Sequence, residues 1–290
     1  MISFTRPALA AVMALSLAAC AGLKDRLPDL PRLPSFASEK SAPATPTVTT
    51  AAPPLAPGAW PQATSDVEAD PGVRFGALPN GMRYALVKNA TPPGQASFRL
   101  RFDAGSLMET ETQLGLAHFL EHMAFNGSKG IPEGEMVKML ERQGLAFGAD
   151  TNASTDFEET VYKLDLPQTD DATVDLSFRV LRETASELLI DAAAIDRERG
   201  VVLSEERNRD SPGWRVFKSR LRFILKGQRP PERFPIGAVE VLKTAPRSEL
   251  AAFYNAYYRP ERATFVAVGD FDLDAMEARI RATFGDWKNP

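Results

Sequence analysis

Residues 116–127 read Leu-Ala-His-Phe-Leu-Glu-His-Met-Ala-Phe-Asn-Gly and contain both histidines of the 290-residue chain. In an α-helix, residues four positions apart lie on one face, one turn from each other. The imidazoles of His118 and His122 can therefore reach one ion if this stretch is helical. Glu121 stands at the edge of the same face, close enough to take a proton from a metal-bound water. The alternative is an amphipathic helix with two unrelated histidines.

A third metal ligand has to come from elsewhere in the chain. Three protein ligands and a water are usual for catalytic zinc. No other histidine is present and the one cysteine is Cys20, so the third ligand has to be Asp or Glu. Glu198 and Glu205 are seven residues apart, close to two helical turns, and share a helix face with Val202 between them. Two carboxylates beside an apolar residue suit a buried cation site, although a solvated charged helix fits the same pattern.

The combination of these motifs resembles the pitrilysin/insulinase family of metallopeptidases, the inverted zincins, whose motif reverses the His-Glu-x-x-His order of thermolysin-like enzymes. Residues 147–153, 198–205 and 258–260 are also similar to the bacterial zinc-protease branch of that family. The resemblance covers residues 71–290 and implies an N-terminal catalytic domain of this family.

The resemblance also implies roles for individual residues. It implies that one Zn²⁺ ion is bound by His118, His122 and Glu205. It makes Glu121 the general base and Glu198 a second acidic residue that supports the site. The seven-residue step from Glu198 is what favours Glu205 over the glutamate that follows it.

Substrates and partners follow from the same resemblance. In the family, a peptide binds as an added β-strand, which implies contacts here along residues 147–153, with Asn152 and Ala153 meeting the peptide backbone. A strand-end turn residue is the alternative for Asn152. Complete family members contain two or four such domains, so a second pitrilysin-like domain is expected, in a longer chain or in another subunit. We expect the chain alone to bind zinc but to cleave peptides weakly or not at all.

Strands and helices interleave irregularly along the sequence, which predicts an α+β fold with a mostly antiparallel mixed sheet packed against helices. Asn80-Gly81 is a strong turn signal between two short strands. Phe98, Leu100 and Phe102 alternate with polar residues, as in a half-buried strand. Other strands are predicted at residues 145–155, 159–166 and 263–269, and helices at residues 113–126, 133–143, 170–189, 192–209, 214–225, 248–258 and 273–284.

The N-terminus predicts export. Residues 1–19 contain a twelve-residue apolar run broken only by Ser16, which is shorter than the ~20 residues that span a bilayer and fits a secretory signal. The run ends in Leu17-Ala-Ala-Cys20, which resembles a bacterial lipobox, and Ala21 resembles the outer-membrane sorting pattern. We therefore expect lipidation of Cys20 and an outer-membrane lipoprotein that faces the periplasm. A plain signal peptide is the alternative.

A proline-rich segment follows the predicted signal. Nine prolines fall between Pro28 and Pro61. Because proline fixes φ and removes a hydrogen-bond donor, residues 20–70 are predicted to form an extended tether; disordered filler is the alternative. The folded domain is predicted over residues 71–290, which is long enough for one large core.

The composition narrows the classes of function. With 34 Lys and Arg against 38 Asp and Glu, the net charge is −4, so the basic surplus of a nucleic-acid-binding protein is absent and no nucleic-acid partner is expected. The 44% hydrophobic and 25% charged residues exclude a multi-span membrane protein, and membrane contact is expected through the N-terminal lipid only.

Two functions compete on this evidence. The first is a zinc-dependent endopeptidase, or its catalytic half, that acts on peptides or unfolded proteins through metal-activated water. The alternative is a lipid-anchored, non-catalytic peptide-binding module that uses the same sheet edge. The set of His118, Glu121 and His122 favours the enzyme, because a pure binding protein has no use for a base beside a metal.

Overall fold

A six-stranded sheet is the frame of the computed structural model, which describes residues 56 and 58–289. The predicted signal segment and Cys20 lie outside the described residues. The strands are β1 (Arg74–Ala77), β2 (Arg83–Lys88), β3 (Ala96–Phe102), β4 (Thr151–Thr155), β5 (Thr160–Leu166) and β6 (Ala263–Gly269).

Eight α-helices accompany the sheet in the described part of the chain. None of these helices combines the length and apolar character needed to cross a bilayer. They are α1 (Leu116–Met123), α2 (Glu135–Arg142), α3 (Asp171–Ser186), α4 (Ala192–Arg209), α5 (Pro212–Ile224), α6 (Val239–Thr244), α7 (Arg247–Tyr257) and α8 (Leu273–Phe284).

The strand order is β1-β2-β6-β3-β5-β4. Only β2 and β6 pair in parallel among the described strands; the other neighbours are antiparallel. On β3, Phe98 and Phe102 point into the core and are fully buried, whereas Arg99 on the opposite face pairs with Asp165 at 2.7 Å. The prediction of a mostly antiparallel mixed sheet packed against helices is confirmed.

Helix α1 occupies the most enclosed position. It packs against α4, α7 and β4, and Leu116, Phe119 and Leu120 on it are fully buried. This burial leaves only a narrow strip of the helix, the one carrying the two histidines, near solvent.

Two predicted elements begin at least three residues later than the sequence predicts. Helix α1 begins at Leu116 rather than at position 113, because Gly115 precedes it in the left-handed region with φ 95°. Strand β4 begins at Thr151 rather than at position 145, because residues 146–151 form a tight turn in which the Thr151 N–H donates to the Ala146 carbonyl at 3.1 Å. Helix α6 has no counterpart among the predicted helices.

Contacts with the sheet begin upstream of residue 71, inside the segment predicted as a tether. The indole Nε1 of Trp60 donates to the Gly76 carbonyl at 2.9 Å. Its ring also meets Phe75 edge-on, with centroids 4.8 Å apart. A 3₁₀-helix, Pro61–Thr64, follows directly. Part of the proline-rich segment therefore packs on β1.

A close crossing of two glycine backbones fixes the start of α1. Gly237 adopts φ 79°, and a Cβ placed on it would lie 2.4 Å from the Gly115 Cα. Since real side chains do not tolerate such a distance, the loop before α6 and the start of α1 can meet only through glycines.

This crossing predicts different costs for two similar substitutions. We expect G227A to lower the free energy of unfolding by about 1–2 kcal/mol, because Gly227 has φ 80° but open space around it. G237A has the same backbone strain, and its new Cβ also collides with the backbone of Gly115. Its free energy of unfolding should therefore fall by about 1–3 kcal/mol more than that of G227A. Urea unfolding followed by circular dichroism measures both, and equal losses would contradict the crossing.

Candidate metal centre

Three potential metal ligands converge between α1 and α4. The Nε2 atoms of His118 and His122 are 3.2 Å apart. The Glu205 carboxylate oxygens lie 3.5 Å from the first of these atoms and 3.6 Å from the second. Around a tetrahedral ion with Zn–N bonds of about 2.0–2.1 Å, neighbouring ligand atoms stand about 3.3 Å apart. The two nitrogens and the Glu205 oxygen nearest to each are therefore spaced as zinc ligands would be, and their chemistry also suits zinc.

The orientation of the two imidazole rings also suits metal binding. The Nδ1 of His122 lies 2.7 Å from Glu198 Oε1 and donates to it, so that Nε2 is the nitrogen that faces His118. The buried Nδ1 of His118 has no hydrogen-bond partner among the described residues. Two such rings, turned Nε2 to Nε2, suit a cation that both can bind.

Burial and charge shift the pKa values of the two rings in opposite directions. Burial lowers the pKa of His118 to about 3, and the charges of His122 and Arg209 add to this effect. Burial also acts to lower the pKa of His122, but the hydrogen bond to Glu198 and the charge of Glu205 outweigh it, so that this pKa is raised. His118 is thus a neutral imidazole at neutral pH, the form that binds metals.

Glu198 connects α4 to the end of α1. Its Oε2 accepts a hydrogen bond from Asn126 Nδ2 at 3.1 Å, and the same amide donates to the His122 carbonyl at 3.0 Å. The hydrogen bond with His122 holds the pKa of Glu198 below its ordinary value, against the effect of burial. The carboxylate therefore fixes which nitrogen of His122 carries the proton. Val202, between Glu198 and Glu205, is fully buried as the predicted shared face requires.

Glu121 is buried beside this group. Its side chain points to the end of β4, where Thr155 Oγ1 donates to Oε2 at 2.6 Å. Burial raises the pKa of Glu121, and the hydrogen bond from Thr155 opposes that rise. A carboxylate with increased proton affinity is suited to accept a proton near neutral pH.

The residues predicted to meet substrate lie on β4, at one edge of the sheet. β4 pairs with β5 on one side and has no strand on its other side among the described residues. The N–H of Ala153 donates to the Asn152 Oδ1 at 2.9 Å, and the Asn152 side chain is exposed. Asn152 is about 10 Å along the strand from Thr155, so the edge leads directly to Glu121.

Two residues of this arrangement were not found by sequence reasoning. Asn126 carried a weak signal, because it follows His122 by four positions and continues the same helix face. Thr155 carried none, since a threonine at the end of a strand is common and its partner is 34 residues away.

Comparison with known proteins identifies the family of the chain. Residues 84–224 match the family model described as Insulinase (Peptidase family M16). The chain belongs to this peptidase family, M16. Residues 244–290 match a second model, described as Peptidase M16 inactive domain. The resemblance to the pitrilysin/insulinase family is therefore confirmed.

Individual relatives of this M16 chain are much longer. It is 40% identical over 221 residues to the probable zinc protease PqqL of Haemophilus influenzae. The aligned region is 76% of this chain and 24% of that protein. The crystal structure of the first half of the periplasmic protease PqqL from Escherichia coli superposes with a TM-score of 0.75 at 34% identity, over 77% of this chain and 48% of that one. The crystal structure of pitrilysin superposes with a TM-score of 0.64 at 28% identity, over 75% of this chain and 23% of that one. The chain thus spans about a quarter of the length of the Haemophilus relative.

Measuring metal binding in two variants tests whether Glu205 or the glutamate beside it is the third ligand. We expect E205Q to weaken zinc binding by more than the roughly 10–100-fold that follows loss of a ligand's supporting partner, because one of three ligand atoms is removed. E206Q changes the adjacent carboxylate and should bind like the wild type. Competition with a chromophoric chelator measures both affinities, and a larger loss in E206Q would assign the third ligand to Glu206.

Proposed function

We propose that this chain is the catalytic domain of a zinc endopeptidase that hydrolyses peptide bonds with Glu121 as general base. The observation that carries the proposal is the convergence of two imidazole nitrogens, 3.2 Å apart, with the Glu205 carboxylate, whose oxygens lie 3.5 and 3.6 Å from them, next to the buried carboxyl group of Glu121. Membership of peptidase family M16 and relatives named zinc proteases support it.

The residues of the site have complementary tasks in this proposal. Zinc, when bound by His118, His122 and Glu205, supplies a Lewis acid and lowers the pKa of water to near ~7. Glu121 accepts the proton of the attacking water and returns it to the leaving amine. Thr155 holds Oε2 of this carboxylate by its hydrogen bond, so Oε1 is left to exchange the proton.

Glu198 acts through His122 and does not touch the substrate. Its ionised carboxylate keeps the Nδ1 proton of His122 in place, so that Nε2 would be the nitrogen available to hold the metal. This support also orients the ring, since Asn126 holds the second oxygen of Glu198.

A peptide or unfolded-protein segment is proposed to bind as an additional strand on β4. Main-chain hydrogen bonds to an edge strand give affinity with little dependence on sequence. Asn152 and Ala153 are proposed to meet the peptide backbone. The Ala153 N–H, now bonded to the side chain of Asn152, has to exchange that partner for a substrate carbonyl.

A second M16 domain is proposed as the partner that completes the peptidase. The chain covers 24% of the Haemophilus protein and 48% of the first half of the Escherichia coli one. This second domain would belong either to a longer chain or to another subunit, and the chain alone is expected to cleave peptides weakly or not at all.

The bacterial envelope is the proposed location. The Escherichia coli relative is described as a periplasmic protease, which agrees with the export signal in residues 1–19. Lipidation of Cys20 would attach the domain to the outer membrane through the proline-rich segment.

The general base is tested by E121Q, which keeps the size of the side chain and removes its basicity. We expect peptide turnover to fall by about 10²–10⁴-fold while zinc content is unchanged. Mass spectrometry of a peptide mixture incubated for hours with the zinc-loaded chain detects slow cleavage. E158Q, an exposed acid on the β4–β5 turn, is the control and should match the wild type. Equal, measurable turnover by E121Q and the wild type, with zinc retained, would contradict Glu121 as the general base, whereas no turnover by either zinc-loaded protein is what the non-catalytic binding module predicts.

Lipid attachment is tested by C20A. Because the chain has a single cysteine, labelled palmitate incorporated by the wild type can enter through a thiol only at this position. We expect C20A to lose the label and to leave the outer-membrane fraction. A plain signal peptide predicts no label in either protein.

A further inference from the structure

We propose that Glu109 is a positioning residue for the metal site: its buried side chain holds the start of α1 and, through it, the ring of His118. The inference rests on the proposed zinc site and adds to it a residue that touches neither metal nor substrate.

The carboxyl group of Glu109 binds the first turn of α1. Glu109 is fully buried. Its Oε2 accepts a hydrogen bond from the Gly115 N–H at 2.9 Å, and its Oε1 accepts one from the Ala117 N–H at 2.9 Å. The first N–H groups of a helix have no partner within the helix, and Gly115, the residue before α1, has no side chain to cap them. Glu109 supplies that cap from outside the helix.

This cap matters for His118 more than for His122. The ring of His122 is oriented by Glu198 at 2.7 Å, whereas the Nδ1 of His118 has no hydrogen-bond partner among the described residues. The direction of the His118 ring therefore depends on its backbone and on packing. Ala117, whose N–H is held by Glu109, is the residue immediately before it.

Glu109 is itself held in place from a distant part of the chain. Its carbonyl accepts hydrogen bonds from Arg233 Nε at 3.2 Å and from Arg229 Nη2 at 3.0 Å. Ser106 Oγ in turn donates to the Arg233 carbonyl at 2.5 Å. The loop that carries these arginines continues to Gly237, which crosses α1 at its start. The backbone of Glu109 is thus held in place, so its side chain can fix the position of the first turn of α1.

The first turn of α1 needs two hydrogen-bond acceptors, and the two oxygens of the Glu109 side chain provide them. Burial raises the pKa of Glu109 to about 8, while the N–H groups of Gly115 and Ala117 and the charge of Arg233 oppose the rise. In either protonation state both oxygens can accept a hydrogen bond, whereas a carboxamide offers one oxygen and turns an N–H₂ group towards a backbone N–H.

The test compares zinc affinity in E109Q, E109D and the wild type, measured on folded protein by chelator competition. We expect E109Q to bind zinc about 10–100-fold more weakly, the range seen when a supporting partner of a ligand is lost. E109D keeps both acceptor oxygens on a shorter side chain, so its affinity should lie between the two. The d–d absorption of Co²⁺ bound in place of zinc should shift in E109Q, because the ligand geometry changes.

I280A is the control for a general loss of stability. Ile280 is fully buried in α8, which packs against α3 and β2. We expect I280A to lower the unfolding midpoint yet to keep zinc affinity within about twofold of the wild type, since additivity holds for distant sites.

The outcomes separate the two proposals. If the wild type binds zinc and E109Q binds it equally well, Glu109 only stabilises the fold and the inference is wrong. The inference is also wrong if I280A loses as much affinity as E109Q. If the wild type binds no zinc, the proposed metal site fails first, and the role of Glu109 fails with it. Should E109Q not fold, E109D alone carries the comparison with the wild type.

Discussion

The candidate metal site depends on α1 and α4 staying packed side by side, because its imidazoles come from one helix and its carboxylate from the other. Arg199 on α4 reinforces this packing. Its guanidinium donates to the carbonyls of Leu242 and Ala245, the second at 3.0 Å, and lies 5.7 Å from the ring centre of Phe119 on α1. One side chain thus joins α4 to the residues around α6 and to the histidine helix. A shift of α4 would move Glu198 and Glu205 together, so both the candidate third ligand and the hydrogen-bond partner of His122 depend on the packing that Arg199 reinforces.

The sequence was sufficient for the fold class and for the family, and the physical reasons are local. Two histidines four positions apart point to one helix face, and the alternation along β3 points to one buried sheet face. The placement of Glu205 beside the histidines agrees with the structure, although its role as a ligand stays a prediction. Ends of elements were less accurate, because the start of α1 is set by a contact between Gly115 and Gly237 that no local pattern reveals.

The parts that sequence reasoning missed all depend on partners far apart in the chain. Thr155 meets Glu121, Asn126 meets Glu198, and Glu109 is anchored by arginines more than a hundred residues downstream. Each of these residue types is ordinary at its position. Only the packing of β4 and α4 against α1 turns an unremarkable hydroxyl, amide or acid into part of the candidate site.

The three candidate ligand side chains differ in exposure: 12% for His118, 15% for His122 and 41% for Glu205. The carboxylate therefore faces solution, whereas the two imidazoles lie further in. Carboxylate oxygen suits hard, hydrated cations, and imidazole nitrogen suits borderline ones such as zinc. If this group holds a metal, a preference for zinc over magnesium or calcium would come from the two less accessible side chains.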